Sequence, residues 1–236
     1  MRRRRFVVAL AIVSIVALAG GVGLYFVYHA TQEVPEFYAE ALEMPETHAD
    51  KQSDEFTDRA LALAGDVEKE GSWSSIFTDD EINGWLAVDL VEKHPNLLPP
   101  NFERPRIKIL DHHVQIGVKC ELRGVKTIAW MDIEGQMTKD QELALRFKQI
   151  RAGAVPLPLS TILDAVKKAA ETFEVPLRWS TDGGDPIAIV GLPTPTKKGM
   201  RYQLERFSLT EGKLYLAGRT TKVVDKVAKS DQTSGR

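Results

Sequence analysis

Apolar residues follow three patterns along the chain, and each pattern predicts a different kind of element. The first is continuous: Phe6 to Tyr28 is a run of 23 residues without a charged side chain. A helix of that length spans about 34 Å and so crosses a hydrocarbon core of about 30 Å. The run follows Arg2 to Arg5, and basic flanks stay on the cytoplasmic side of a membrane. The pattern therefore predicts a single-pass membrane helix with the bulk of the chain on the extracytoplasmic side.

A cleaved signal peptide is the alternative interpretation of the same run. Ala17-Leu18-Ala19 has the small-residue pattern of a cleavage site behind a short apolar stretch. Cleavage there would leave the apolar sequence GGVGLYFVY as a new N-terminus, which favours a retained anchor. Both interpretations predict that the domain is exported.

The second pattern has the period of a helix. Thr78-Asp79-Asp80-Glu81 matches a capping box, in which the Thr hydroxyl and the Glu carboxylate bind each other's main-chain amides. Phe77 and Ile82 flank it as a hydrophobic staple, and the helix is expected to end near His94-Pro95. We assign the three acids to the helix start rather than to catalysis, because carboxylates stabilise the positive end of the helix dipole.

The third pattern alternates with period two and predicts strands. Four consecutive segments form an antiparallel meander, with Asp111-His112-His113 as the first hairpin turn. An amphipathic helix follows over residues 160–173, and further strands lie beyond it. The sequence therefore predicts an α+β fold, a long curved antiparallel sheet with amphipathic helices packed on it. The predicted strands are residues 106–110, 114–122, 124–134 and 142–151, then the region of Trp179, 186–192, 202–210 and 214–221.

Charge separates the anchor from the remainder. Residues 1–28 form the Arg cluster and the anchor, and residues 29–70 hold three basic and twelve acidic side chains, a net charge of −9. Such a segment predicts a partly helical stalk that ends, over about residues 47–70, in a helix docked loosely on the domain. Anionic headgroups would repel this segment and so hold the domain off the bilayer. The folded domain is predicted over residues 71–221 and a flexible tail over 222–236. Residues 71–236 carry a net charge of +3, which gives no case for nucleic acid.

Reactive chemistry is sparse in the sequence. Cys120 is the single cysteine, so the exported domain has no internal disulfide and depends on its own core. Asp111-His112-His113 and Asp182-Gly183-Gly184-Asp185 have the composition of turns, and neither has the ligand spacing of a metal site. We found no local catalytic motif, so no catalytic residue, cofactor or metal is predicted and an enzyme is the least favoured function.

The chain contains, in this order, the segments FTDDEINGWLAVDL, RIKILDHHVQIGVKCEL, ELALRFKQIRAGAVPLPLSTIL and LERFSLTEGKLYLAGR. Together with the N-terminal anchor, these segments resemble the uncharacterised, membrane-anchored YpmS-type proteins of bacteria. The resemblance covers about residues 75–220 and implies no activity or functional residue, although it does imply a bacterial cytoplasmic membrane. The longer acidic segment before the capping box departs from that family. At the level of fold, the chain is similar to tubular lipid-binding domains, in which a long helix lies inside a curved sheet.

These expectations lead to a ligand hypothesis and an alternative. The apolar stripe of helix 160–173 either fills a closed core or borders a groove that holds a lipid or another apolar molecule. The alternative function is a non-catalytic scaffold for an envelope protein complex, and an envelope enzyme comes third. The residues predicted to line the groove are Trp130, Phe147, Leu159, Ile162, Leu163, Val166 and Phe173.

Overall fold

The chain folds as an α+β structure with a large antiparallel sheet and few helices. The computed structural model describes residues 25–98, 100–122, 124–140, 142–158, 167, 170–171, 176–182, 184–191 and 199–222. Most of the predicted anchor, most of helix 160–173 and nearly all of the predicted tail lie outside these residues. Lys167, Ala170 and Glu171, within the predicted helix, are helical.

The described elements begin and end as follows. Residues 25–31 are helical, and the later helices are α1 (Glu36–Leu42), α2 (Glu46–Val67), α3 (Asp79–Ala87), α4 (Asp89–Glu92) and a 3-10 turn at Pro95–Leu97. The strands are β1 (Gly71–Thr78), β2 (Phe102–Leu110), β3 (His113–Leu122), β4 (Val125–Met137), β5 (Leu143–Ala152), β6 (Val155–Pro156), β7 (Leu177–Asp182), β8 (Asp185–Val190), β9 (Met200–Thr210) and β10 (Lys213–Lys222).

The strands form two sheets, where the sequence predicted one. The larger has the order β2-β3-β4-β5-β8-β7, with β6 paired to β5, and the smaller has the order β1-β10-β9. The predicted meander over residues 106–151 is confirmed as β2 to β5, all antiparallel. Strand β1 was not predicted because its sequence, GSWSSIFT, is mostly small and polar, and its partner β10 lies far along the chain.

The larger sheet is covered on both faces. Tyr38 of α1 packs on one face, where a Cβ added to Gly117 would lie 2.7 Å from the Tyr38 ring, and we name this the α1 face. Phe207 of β9 packs on the other, where a Cβ added to Gly135 would lie 2.6 Å from its ring, and we name this the β9 face. Because strand residues alternate between faces, the unbroken β3–β4 register assigns each residue of these two strands to one face.

Helix α3 begins at the predicted capping box. The Thr78 hydroxyl accepts from the Glu81 amide, and the Glu81 carboxylate accepts from the Thr78 amide. The same carboxylate accepts from Nε and Nη2 of Arg59 at 3.0 and 2.7 Å, which ties α2 to α3. The prediction that these acids stabilise the start of the helix is therefore confirmed for Glu81.

Residues 29–70 are not a stalk. Phe37 and Tyr38 are buried in a cluster with Ile128 of β4, and Tyr38 is only 1% exposed. Helix α2 packs directly on α3, with Ser53 buried beside Gly84. A loosely docked helix was predicted here, but its close packing was not, because the apolar contact surface consists of only a few residues among many charges. The folded domain begins near residue 30 rather than at residue 71.

Candidate functional site

The end of helical residues 25–31, together with Gln32, is bonded directly to the larger sheet. Residues 30–32 meet the start of β4 and the turn between β5 and β6. The joined positions are about 95 to 125 residues apart in sequence. We name this contact the anchor junction. Its hydrogen bonds are Thr127 Oγ1 to Thr31 O at 2.6 Å, Gln32 Nε2 to Lys126 O at 2.9 Å, and Ala154 N to Ala30 O at 2.9 Å.

Gly153 makes the close approach at this junction possible. Its φ is +55°, and an added Cβ would lie 2.7 Å from the carbonyl oxygen of Thr31. Its amide donates to Ile128 O at 2.8 Å, and its carbonyl accepts from the Trp130 indole at 2.8 Å. The Arg151 guanidinium lies 5.8 Å from the centre of the Trp130 ring. The Trp130 side chain therefore stabilises the β5–β6 turn, which is the turn that binds Ala30.

The helical residues before the junction carry exposed apolar side chains. Tyr25, Phe26, Val27 and Tyr28 are 63%, 65%, 54% and 57% exposed. Among the described residues, no helix has both the length and the apolar character needed to span a membrane. Residues 6–24, which carry most of the predicted anchor, lie outside the described residues.

The residues predicted to line one groove do not lie together. Trp130 contacts Phe37 on the α1 face, with ring centres 6.1 Å apart. Phe147 packs with Ile133 and Ala188 on the β9 face. The expectation that Trp130 and Phe147 share a groove is wrong, because Ile133, which pairs with Phe147, lies an odd number of residues from Trp130. Leu159, Ile162, Leu163, Val166 and Phe173 lie outside the described residues.

The β9 face around Phe147 is apolar and is not fully closed. Phe147 is buried and Ala188 is 0% exposed, whereas Trp179 is 36% exposed. The rings of Phe147 and Trp179 lie 5.8 Å apart. Trp179 was predicted only as part of a strand, because one aromatic residue in a short polar segment gives no sign of its neighbours.

A polar cluster lies on the α1 face, away from α1 itself. Asp132 Oδ1 is buried, forms no hydrogen bond within the described part of the chain and lies 3.8 Å from His113 Nε2. Burial raises the pKa of Asp132, the nearby Glu134 carboxylate adds to the rise, and His113 and Lys148 oppose it. His113 Nδ1 lies 3.0 Å from Asp111 O, so a protonated Nδ1 would leave Nε2 as the acceptor facing Asp132. At 3.8 Å the two side chains are neighbours that do not form a hydrogen bond.

Ion pairs surround this cluster and neutralise its charge. Glu134 and Asp185 lie between Arg146 and Lys148, and the nearest contact is Lys148 Nζ to Asp185 Oδ2 at 3.1 Å. The Asp111-His112-His113 segment includes the hairpin turn, as predicted, and His112 has a φ of +68° there. Across the described ranges, no three His, Cys, Asp or Glu side chains are arranged as metal ligands.

Comparison with known proteins gives no relative. No protein-family model, no curated protein and no solved structure matches the chain. The anchor junction and the apolar β9 face are therefore the two features on which a functional proposal can rest.

Proposed function

We propose that this protein is a single-pass protein of a bacterial cytoplasmic membrane whose extracytoplasmic domain binds a lipid or another apolar molecule. The ligand would lie on the β9 face, between helix 160–173 and a curved sheet. The uncharged run from Phe6 to Tyr28 and the Arg2–Arg5 cluster support the anchor and its direction. The resemblances to YpmS-type proteins and to tubular lipid-binding domains remain predictions that agree with this proposal.

The anchor junction is the observation that carries the proposal. Ala30, two residues after the end of the predicted anchor at Tyr28, is hydrogen-bonded to Ala154. Ser160, where the second amphipathic helix is predicted to begin, follows six residues later, a distance of at most about 20 Å. One end of the proposed groove would therefore lie beside the bilayer. A lipid could enter it without crossing water.

The exposure of Trp179 supports an apolar ligand over a closed core. A Trp side chain that is 36% exposed beside buried Phe147 extends an apolar surface outward from the core. Aromatic side chains of this size contribute much of the contact area in apolar binding sites.

Photo-crosslinking tests the proposal with the full chain in vesicles. Benzoylphenylalanine would replace Phe147 or Val166, and Glu134 on the α1 face would serve as the control. The vesicles would contain phosphatidylethanolamine, phosphatidylglycerol and an alkyne-tagged phospholipid. We expect tagged lipid on the chain from positions 147 and 166 and none from position 134. Equal labelling at all three positions, or labelling at none, would reject lipid binding.

A scaffold is the second candidate, and one surface favours it. A cleft of about 360 Å³ lies between α2 and β1, lined by Leu63, Ile76 and Tyr215 among others, and Ile76 is 45% exposed. β1 is also an edge strand of the smaller sheet, and edge strands offer main-chain groups to a partner. Benzoylphenylalanine at Ile76 would yield a protein adduct of one defined mass in cells if this function is correct.

A further inference from the structure

The connection between α4 and β2 exposes apolar side chains to solvent. Residues 95–98 and 100–102, which we name the apolar loop, carry no charged side chain. Leu97 is 40% exposed, and Val91 at the end of α4 is 48% exposed. Leu98 and Phe102 are partly exposed as well. The loop borders a cleft of about 440 Å³ lined by Val91, Pro95, Leu98, Pro100, Asn101, Phe102, Glu103 and Arg104.

The apolar loop lies at the same end of the sheet as the anchor junction. Phe102 pairs with Cys120 across β2 and β3, and Cys120 pairs with Thr127 across β3 and β4. Neighbouring strands are about 4.8 Å apart, so the main chain of Phe102 lies about 10 Å from Thr127. The hydroxyl of Thr127 is bonded to Thr31 at 2.6 Å. Two segments distant in sequence are thus adjacent at one edge of the domain.

The position of the predicted anchor identifies the surface that this edge faces. Tyr28, the last residue of the anchor, precedes Thr31 by three residues, which is about 4.5 Å along a helix. The junction therefore lies within about one helical turn of the headgroup layer. A loop about 10 Å to the side, rich in Leu and Pro and free of charge, lies where an apolar side chain can enter the interface.

Basic side chains lie near the loop and suit lipid phosphates. Arg104 and Lys126 are exposed at the same end of the sheet. Lys119 precedes Cys120 on β3, and its Nζ donates a hydrogen bond to Glu103 Oε2 at 3.0 Å. Glu103 and Glu121, which pairs with Lys126 across β3 and β4, lie at the same end, so the apolar side chains rather than the net charge suit this surface to a bilayer.

We propose that the apolar loop inserts into the interfacial layer of the same bilayer that the anchor crosses. The domain would then contact the membrane at two points, the anchor junction and the loop, which together fix its orientation. This inference rests on the proposed membrane anchoring and goes beyond it, because the anchor junction joins the domain to its helix but does not by itself place the loop in the bilayer. It does not depend on whether a lipid binds to the β9 face.

Fluorescence of the full chain in vesicles tests the insertion. Cys120 is buried, and a Cys120→Ala background would leave one introduced cysteine as the only thiol. Leu97→Cys would carry an environment-sensitive nitrobenzoxadiazole label in vesicles of phosphatidylethanolamine and phosphatidylglycerol. The matched control is Glu211→Cys, an exposed site by the β2–β3 turn, at the far end of the sheet. A phospholipid with a nitroxide on its acyl chain would quench labels that enter the bilayer.

The expected result is a blue-shifted emission at position 97 and quenching severalfold stronger than at position 211. Equal, weak quenching at both positions overturns the insertion. Vesicle flotation of the same samples separates the two proposals. A chain that floats with the vesicles while the label at position 97 stays in water rejects the loop alone. A chain that does not float rejects the membrane anchor together with the loop.

Discussion

The side-chain amide of Asn83 pairs with the main chain of Ile107 as a neighbouring strand would. Asn83 Oδ1 accepts from the Ile107 amide at 2.8 Å, and Asn83 Nδ2 donates to the Ile107 carbonyl at 2.9 Å. Asn83 is only 4% exposed, so no solvent replaces these bonds. The amide therefore satisfies the main chain at the outer edge of β2, where the larger sheet ends.

Removing this amide should destabilise the fold. We expect Asn83→Ala to lower the free energy of unfolding by about 2–4 kcal/mol, because it leaves a buried N–H and a buried C=O without partners. Urea denaturation measures the change. Asn96→Ala, at an exposed position, is the control and should change the value by less than about 0.5 kcal/mol. Equal effects of the two substitutions would contradict the role given to Asn83.

The contact between α2 and α3 predicts opposite effects of one substitution at two helical glycines. A Cβ on Gly84 would lie 2.6 Å from Gln52 Cβ and 2.8 Å from Ala49 O, whereas a Cβ on Gly65 meets nothing within 4 Å. We expect Gly84→Ala to destabilise by about 1–3 kcal/mol through overpacking. Gly65→Ala should stabilise by about 0.5–1 kcal/mol through helix propensity. Stabilisation of both variants in thermal unfolding would show that α2 does not pack on the domain.

The anchor junction predicts a local effect at Gly153. An alanine at Gly153 or at Gly184 would have to adopt an unfavourable positive φ. At Gly153 the added Cβ would also clash with main-chain atoms of Ala30 and Thr31, whereas at Gly184 it would meet nothing within 4 Å. We therefore expect Gly153→Ala to cost about 1–3 kcal/mol more than Gly184→Ala. Hydrogen exchange gives a specific readout, because the Ala154 amide is bonded to Ala30 O. That amide should exchange faster in Gly153→Ala and stay protected in Gly184→Ala.

The raised pKa of Asp132 predicts how stability depends on pH. Burial raises this pKa above its ordinary value of 3.8, so between the two values the folded chain binds more protons than the unfolded chain. The free energy of unfolding therefore falls as pH rises through this window, by at most about 1.4 kcal/mol per pH unit. Asp132→Asn cannot ionise and should be more stable than the natural chain at pH 7.

Urea denaturation at several pH values checks this sign. The gain from Asp132→Asn should shrink as the pH falls and disappear below about pH 3, where the carboxyl is protonated in both states. Asp140→Asn, at an exposed position in the β4–β5 connection, is the control and should follow the natural chain. A loss of stability in Asp132→Asn at pH 7 would mean that the favourable interactions of the carboxylate with its neighbours, Lys148 and His113, outweigh the cost of burial.

Local patterns predicted the local parts of the fold. Period-two alternation located β2 to β5, and Thr78 with Glu81 located the start of α3, because both signals come from neighbouring residues. Strand β1 was missed, since it pairs with β10, which lies far along the chain, and GSWSSIFT has no regular apolar alternation of its own. Helix α2 was predicted as a helix that docks only loosely at the end of an acidic stalk. Its close contact with Gly84 was missed because it depends on a small residue that no hydrophobic pattern marks.

The candidate site was less predictable than the fold. The sequence identified Phe147 as an inward residue, and the structure agrees that it is buried. The sequence did not reveal that Trp130 lies on the other face of the sheet. Strand β4 is covered on both faces and is apolar on both, so its apolar residues do not indicate which face each one occupies. The anchor junction involves Ala30 and Ala154, and a contact between residues so far apart leaves no trace in either segment.

The anchor junction also has a mechanical consequence. Ala30, Thr31 and Gln32 are hydrogen-bonded to the start of β4 and to the β5–β6 turn. The helical residues before them are therefore joined to the sheet by a bonded connection rather than by a flexible linker. A tilt or axial rotation of that helix is transmitted to the whole domain as torque. The orientation of the domain is therefore coupled to that of its N-terminal helix, and a force on the helix or on the domain acts on the other as well.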